Sequence, residues 1–298
     1  MQTIPKTPLI YTFSQHHPCV HRVSDGETFR VECDDCYGGQ VADEHILRPM
    51  IDPKRIDGSV GPIFVEGAHP GDTLLVEVLA IELADHGVMM TGRGLGVLGE
   101  RIETPDTKII PLRDGFALFS DTIRLPLTPM IGVMGVAPRE GLEIHCATPG
   151  DHGANLDTTR LCVGARVYLP VAMEGAGQAV GDLHACMGDG ELSGTGIETA
   201  GCICLRVSVC RGLPLQRPMI EHGDAIYLLA SAPTQEEAVH LACTDGTDFL
   251  QRKLGLDFPD AYRLMSAACS IEISQVVNPL CTVRLRLPKA ALPIDSVK

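Results

Sequence analysis

The side chains that could do chemistry are concentrated between residues 150 and 198. Residues 150–157 read Gly-Asp-His-Gly-Ala-Asn-Leu-Asp, and residues 181–191 add Asp182, His184, Asp189 and Glu191. Glu198 follows a second glycine-rich stretch. Asp182 and His184 are two apart. If a strand begins after Gly181, they share a face. A carboxylate and an imidazole on one face form half of a metal site. Zinc takes both donor types, and a catalytic zinc keeps one position open for water. His152 and Asp157, on the first glycine-rich loop, are the candidates to complete the set. Against this stands a plainer reading, in which Asp182 caps a turn and His184 is a buried, hydrogen-bonded histidine. Glu191 and Glu198 are the acid–base candidates, because an activated water needs a group to take its proton and pass it to a leaving amine. Their plainer readings are a solvated loop carboxylate and a strand end.

Other motifs carry less. Residues 94–99 fit Gly-x-Gly-x-x-Gly, but a dinucleotide site needs a helix next, and residues 100–111 hold two prolines and read as strand and loop. No P-loop and no Gly-x-Ser-x-Gly elbow is present. Cys186, near His184, reads as a small buried thiol rather than a nucleophile. The pair Cys33 and Cys36 lacks the second pair of a zinc ribbon, and Tyr37-Gly38-Gly39 after it favours a turn.

The elements that must position these residues are mostly strands. Short apolar or alternating runs, such as 29–33, 73–81, 166–171, 202–210 and 282–287, are bounded by Gly, Pro, Asp or Asn. With 31 Gly and 21 Pro in 298 residues, turns are frequent. The expected fold is mainly β, built of sandwich or barrel units, with a small α+β part at the C-terminus. There Thr234 and Glu237 predict a capped helix start, and Pro259 starts a second helix over 258–268. The expected units are 1–130, a central β unit 131–215 carrying the motifs, and 216–298. A faint echo between 66–72 and 174–182 supports two similar β units only weakly.

Composition excludes several classes. The 24 Lys and Arg against 38 Asp and Glu give a formal charge of −14, which disfavours nucleic acid as a partner. No stretch approaches the roughly 20 apolar residues of a membrane span. Residues 1–9 lack the apolar stretch of a signal peptide, and the 12 cysteines are scattered singly, so the expected compartment is a reducing cytoplasm.

Residues 152–160, His-Gly-Ala-Asn-Leu-Asp-Thr-Thr-Arg, resemble a motif of the acetamidase/formamidase family. The blocks 168–171, 175–176, 181–185, 188–191 and 196–199 are similar to its most recognisable region. So are 35–40, 61–68 and 70–74 upstream, and 260–266 and 273–277 downstream, so the likeness spans nearly the whole chain. The resemblance implies hydrolysis of small amides such as formamide or acetamide to acid and ammonia. It further implies a mainly-β fold with a small α+β part, homo-oligomers and a divalent metal. It carries over Asp35, His152, Asn155, Asp157, Asp182, His184, Glu191 and Glu198 as site residues. Three departures stand out. Ala154 replaces a second glycine, and Gly177 to Val180 replace large apolar residues, which would give a roomier pocket if they line it. Cys186 stands where a small residue such as alanine is usual, which argues against a cysteine nucleophile.

These readings converge on a metal-dependent amidohydrolase. Asp182, His184 and one or both of His152 and Asp157 hold the metal, zinc first, calcium if oxygen donors dominate. Glu191 carries the proton, Asn155 donates to the carbonyl oxygen, and Asp35 or Glu198 orients the histidine or holds the substrate amine. The alternatives are the same fold acting on a lactam or carbamate, and a non-catalytic metal- or ligand-binding protein. The expected assembly is a homodimer or homotetramer that covers exposed strands.

Overall fold

The computed structural model describes residues 1–294, 296 and 297. It is mostly strand, and two open sheets stack face to face. The first has nine strands. In spatial order from one edge they are Gln2–Ile4, Thr28–Cys33, Gly201–Cys210, Thr73–Leu83, Arg166–Pro170, Met219–His222, Ala225–Ala232, Cys281–Pro288 and Ser270–Gln275. Strands from 1–130, 131–215 and 216–298 thus hydrogen-bond within one sheet.

The second sheet is built around Gln178–His184. One edge of this strand pairs antiparallel with Met130–Gly135, which in turn pairs with Gly153–Asn155. The other edge pairs first with Ser59–Val65 and then with Glu198–Thr199, where His184 stands opposite Glu198. The hairpin His86–Thr91 and Asp106–Arg113 continues beyond Glu198. Side chains from both sheets, among them Val31, Val76 and Leu205 from one and Ile131, Met134 and Leu183 from the other, fill the space between. Each such aliphatic side chain contributes about 1.5–3 kcal/mol relative to exposure.

The nine-stranded sheet is covered on its other face, at its C-terminal end, by two helices, α1 (Gln235–Leu254) and α2 (Phe258–Ala268). Strand Ala225–Ala232 is therefore buried on both sides. Tyr227 and Leu229 face the sandwich, and Ile226 and Leu228 face the helices. The capped start at Thr234 forms as expected, with Thr234 Oγ1 accepting from Glu237 N at 3.2 Å. Asp257 caps α2, whose second residue is Pro259. No helix among the described residues is long and apolar enough to cross a membrane. All twelve cysteines are free thiols.

Candidate active site

The central strand delivers Asp182 and His184 by a kink. Val180 and Leu183, three apart, both pack into the inter-sheet core. Regular alternation would put them on opposite faces. The parity changes at Asp182, whose φ is +57°. His184 Nε2 then lies 3.3 Å from Asp182 Oδ1 and 2.9 Å from Glu198 Oε2. Glu198 is set by its ladder position and by Gly196 N, which donates to its Oε1 at 2.8 Å. Across the sheet, Gly132 leaves room for two carboxylates. A Cβ there would collide with Asp182 Oδ2 and lie 2.6 Å from Asp157 Oδ1.

Asp157 and Glu191 complete the cluster with His184. In the groups Asp182–His184–Glu198 and Asp157–His184–Glu191, the potential ligand atoms all lie within 4.8 Å of one another. Four acids here have left-handed backbones: Asp57, Asp157, Asp182 and Glu191. Such conformations cost about 1–3 kcal/mol each and persist only where the surroundings over-determine them. The restraints are visible. Asn278 Nδ2 donates to Asp157 Oδ2 at 2.6 Å and to Asn155 O at 3.2 Å. Gly190 N donates to Ser274 O at 2.7 Å, pinning the Glu191 turn to the edge strand. The glycine loop 94–99 packs on the other side, with Val97 N donating to Leu192 O at 2.9 Å.

Asp57, Asp182, His184, Glu191 and Glu198 open on a cavity of about 240 Å³. Tyr37, Arg48, Asn155, Thr195 and Asn278 line it beside the acids. Burial pushes Glu191 well above the ordinary carboxylate range, and the Asp157 charge adds to this. Burial raises Asp157 to about 6, with Asp182 next in effect. Glu198 rises to about 8 through burial, opposed by His184. Burial also pushes Asp182 up, but the His184 charge and hydrogen bonds with His184 and Glu198 outweigh it, leaving the carboxyl below its usual value. Burial alone would lower His184; the Glu198 and Asp182 charges hold it well above normal.

Three polar atoms of the cluster are buried without a hydrogen-bond partner: Asp157 Oδ1, His184 Nδ1 and Glu191 Oε2. Buried acceptors facing one another without donors are costly. Carboxylate oxygens with one imidazole suit a divalent ion, so this set could hold one.

Comparison with known proteins agrees over the whole length. The Acetamidase/Formamidase family matches residues 10–146 and 143–293. The chain belongs to the acetamidase/formamidase family. A crystal structure of a predicted acetamidase/formamidase from Thermoanaerobacter tengcongensis superposes with a TM-score of 0.95 at 41% identity, covering 98% of this chain and 97% of that one. The acetamidase of Bacillus halodurans gives 0.94 at 38% identity, covering 98% of both. The formamidase of Methylophilus methylotrophus is 29% identical over 65% of this chain, which spans 62% of that relative's length.

Within this family member, two of the carried-over residues lie apart from the cluster. His152 precedes strand Gly153–Asn155 and lies outside the cavity that Asn155 lines. His152 meets the Phe13 ring edge-on at 5.2 Å, and Ala154 packs in the same Phe13 cluster. His152 lines a different cavity of about 600 Å³, and burial lowers its pKa to about 4. Among the described residues it joins no potential metal-binding group. Asp35 closes a turn instead: its Oδ1 accepts from Gly39 N at 3.2 Å. Residues 177–180 do not line the 240 Å³ cavity, so the departures there do not set its size. Ala154 has φ +68°, the backbone that a glycine adopts freely.

Sequence reasoning missed Asp57, Arg48 and Asn278. Arg48 packs its stem against Gly92 and points at no acid within ion-pair distance among the described residues. The Asn278-Pro279 dipeptide was a readable turn signal, but its partner lies 121 residues upstream.

Proposed function

We propose that the chain hydrolyses a small amide to a carboxylic acid and ammonia. The observation that carries this reading is the buried His184, with Asp182, Glu198, Asp157 and Glu191 within ligand distance, opening on a cavity in a chain of this family. The relatives' names, acetamidase and formamidase, support the amide as substrate class. We further propose that one divalent ion sits among these donors, zinc before calcium because an imidazole is present. When bound, such an ion polarises a carbonyl and acidifies a water.

The chain's own residues have distinct roles in this reading. Glu198 orients the His184 ring through Nε2. Asp157 is held by Asn278 and keeps its Oδ1 directed into the cluster. Glu191 Oε2 receives a proton from the attacking water and returns it to the amine nitrogen, which leaves only once protonated. Asn155 lines the cavity and offers its side-chain N–H to the carbonyl oxygen as charge builds there. The cavity has about eight times the ~30 Å³ share of one water. It therefore has room for more than formamide, and lactams or carbamates belong in the substrate panel.

The deciding experiment measures ammonia release from formamide, acetamide and longer amides, before and after chelation and with zinc restored. Turnover that chelation abolishes and zinc restores is expected. Ion binding with no turnover on any amide would instead make the chain a binding protein. For assembly we propose a homodimer or homotetramer, and a monomer by light scattering at micromolar concentration contradicts it. The compartment proposed is the cytoplasm, on the strength of twelve free thiols.

A further inference from the structure

A third group of donors adjoins the two already described. Cys36, Asp57 and Asp182 present ligand atoms within 4.8 Å of one another. Asp182 belongs both to this group and to the one with His184 and Glu198. We propose that the cavity takes a second divalent cation of the zinc class between Cys36, Asp57 and Asp182, with Asp182 shared between two ions. This rests on the reading that the His184 cluster binds a first ion.

Four observations carry it. The first is placement. Asp57 N donates to Cys36 O at 2.7 Å, which ties together two residues 21 positions apart, and both side chains line the same cavity. The second is conformation. Asp57 is a buried non-glycine residue with φ +55°. The third is unmet polarity. Tyr37, 1% exposed and on the same cavity wall, has a side-chain hydroxyl with no hydrogen-bond partner.

The fourth is charge. Asp57, Asp157, Asp182, Glu191 and Glu198 are all buried. Ionised together they carry five negative charges, and isolated buried charge is strongly disfavoured. With the Cys36 thiolate the negative charges number six; one dication offsets two of them, and a second offsets two more. A thiolate beside two carboxylates selects zinc over calcium or magnesium, because sulfur is a soft donor. Binding releases the thiol proton of Cys36 to solvent, as zinc–thiolate formation requires. Paired metals of this kind clamp both the attacking and the departing atom of a hydrolysis.

The test is stoichiometric. The full chain, stripped by chelation, is titrated with zinc by calorimetry and checked by elemental analysis, then reloaded with cobalt(II) and read by absorption. The expected result is two zinc ions per chain and a thiolate-to-cobalt charge-transfer band. Cys36→Ser should lose that band and fall to one ion. Asp57→Asn, which keeps the thiol, should also fall to one ion, and serves if Cys36→Ser does not fold. One ion in the wild type overturns the second site but leaves the first intact. So does a band or a second ion that survives in Cys36→Ser. No bound ion at all overturns the metal reading itself.

Discussion

Glu198 and His184 face each other as directly opposed residues of an antiparallel ladder, with Glu198 Oε2 2.9 Å from His184 Nε2. Both side chains are almost wholly buried, at 2% and 1% exposure. The pair is thus built into the sheet rather than onto a loop. Removing one partner of a buried charged pair costs about 3–5 kcal/mol. Glu198→Ala should lower the stability of the chelated protein by that amount, read from urea unfolding midpoints. Glu198→Gln, which keeps the shape, should cost less. An unchanged midpoint in Glu198→Ala shows that the pair is not a structural link.

Glu191 is expected to move the proton. Glu191→Gln keeps the side-chain shape and removes the base, so turnover on the best amide should fall about 10²–10⁴-fold with metal content unchanged by elemental analysis. Loss of the ion instead assigns Glu191 as a ligand, consistent with its place beside Asp157 and His184.

Gly132 makes the meeting of Asp182 and Asp157 possible. The Cβ of Gly132→Ala would overlap the Asp182 carboxylate and lie 2.6 Å from Asp157 Oδ1. Forcing a methyl into a packed site costs about 1–3 kcal/mol. The variant should fold with a reduced melting temperature and bind zinc at least tenfold more weakly by calorimetry. Wild-type zinc affinity in Gly132→Ala contradicts this geometry.

The loop before Glu191 is held by a buried arginine. Arg284 has no exposed side-chain surface, and it donates to Asp189 Oδ2 at 2.5 Å, Glu272 Oε2 at 2.7 Å and Thr158 Oγ1 at 3.1 Å. Burial pushes the Asp189 carboxyl up, but hydrogen bonds from Arg284 and Thr159 outweigh it and leave it below its ordinary value. A carboxyl depressed in the folded state stabilises at pH values above the unfolded pKa of about 3.9. That stability is lost as pH falls through the lower folded value. The stability gap between wild type and Asp189→Asn should therefore be full near pH 6–7 and close below about pH 4. A gap that widens in acid contradicts the ion pair.

The sequence by itself determined the mainly-β class, both C-terminal helices and the segment that supplies most of the clustered acids. These are local properties. The alternation of apolar residues, the Thr234–Glu237 cap and Pro259 at the start of a helix all act within one or two turns of chain. Asp182, His184, Glu191 and Glu198 were visible because they are close in sequence and flanked by glycine. Tertiary structure decided which of them meet. His152 and Asn155 flank Gly153 and Ala154, whose backbones are both left-handed, so no regular alternation relates their side chains. His152 goes to the Phe13 cluster while Asn155 reaches the cavity. Asp182 and His184 do meet, but through a left-handed kink that local propensity disfavours and that the surrounding packing holds. Asp57, Cys36 and Asn278 arrive from segments roughly 100 residues to either side. Their membership follows from pairing between distant strands and turns, and that pairing leaves no periodic trace in the local sequence.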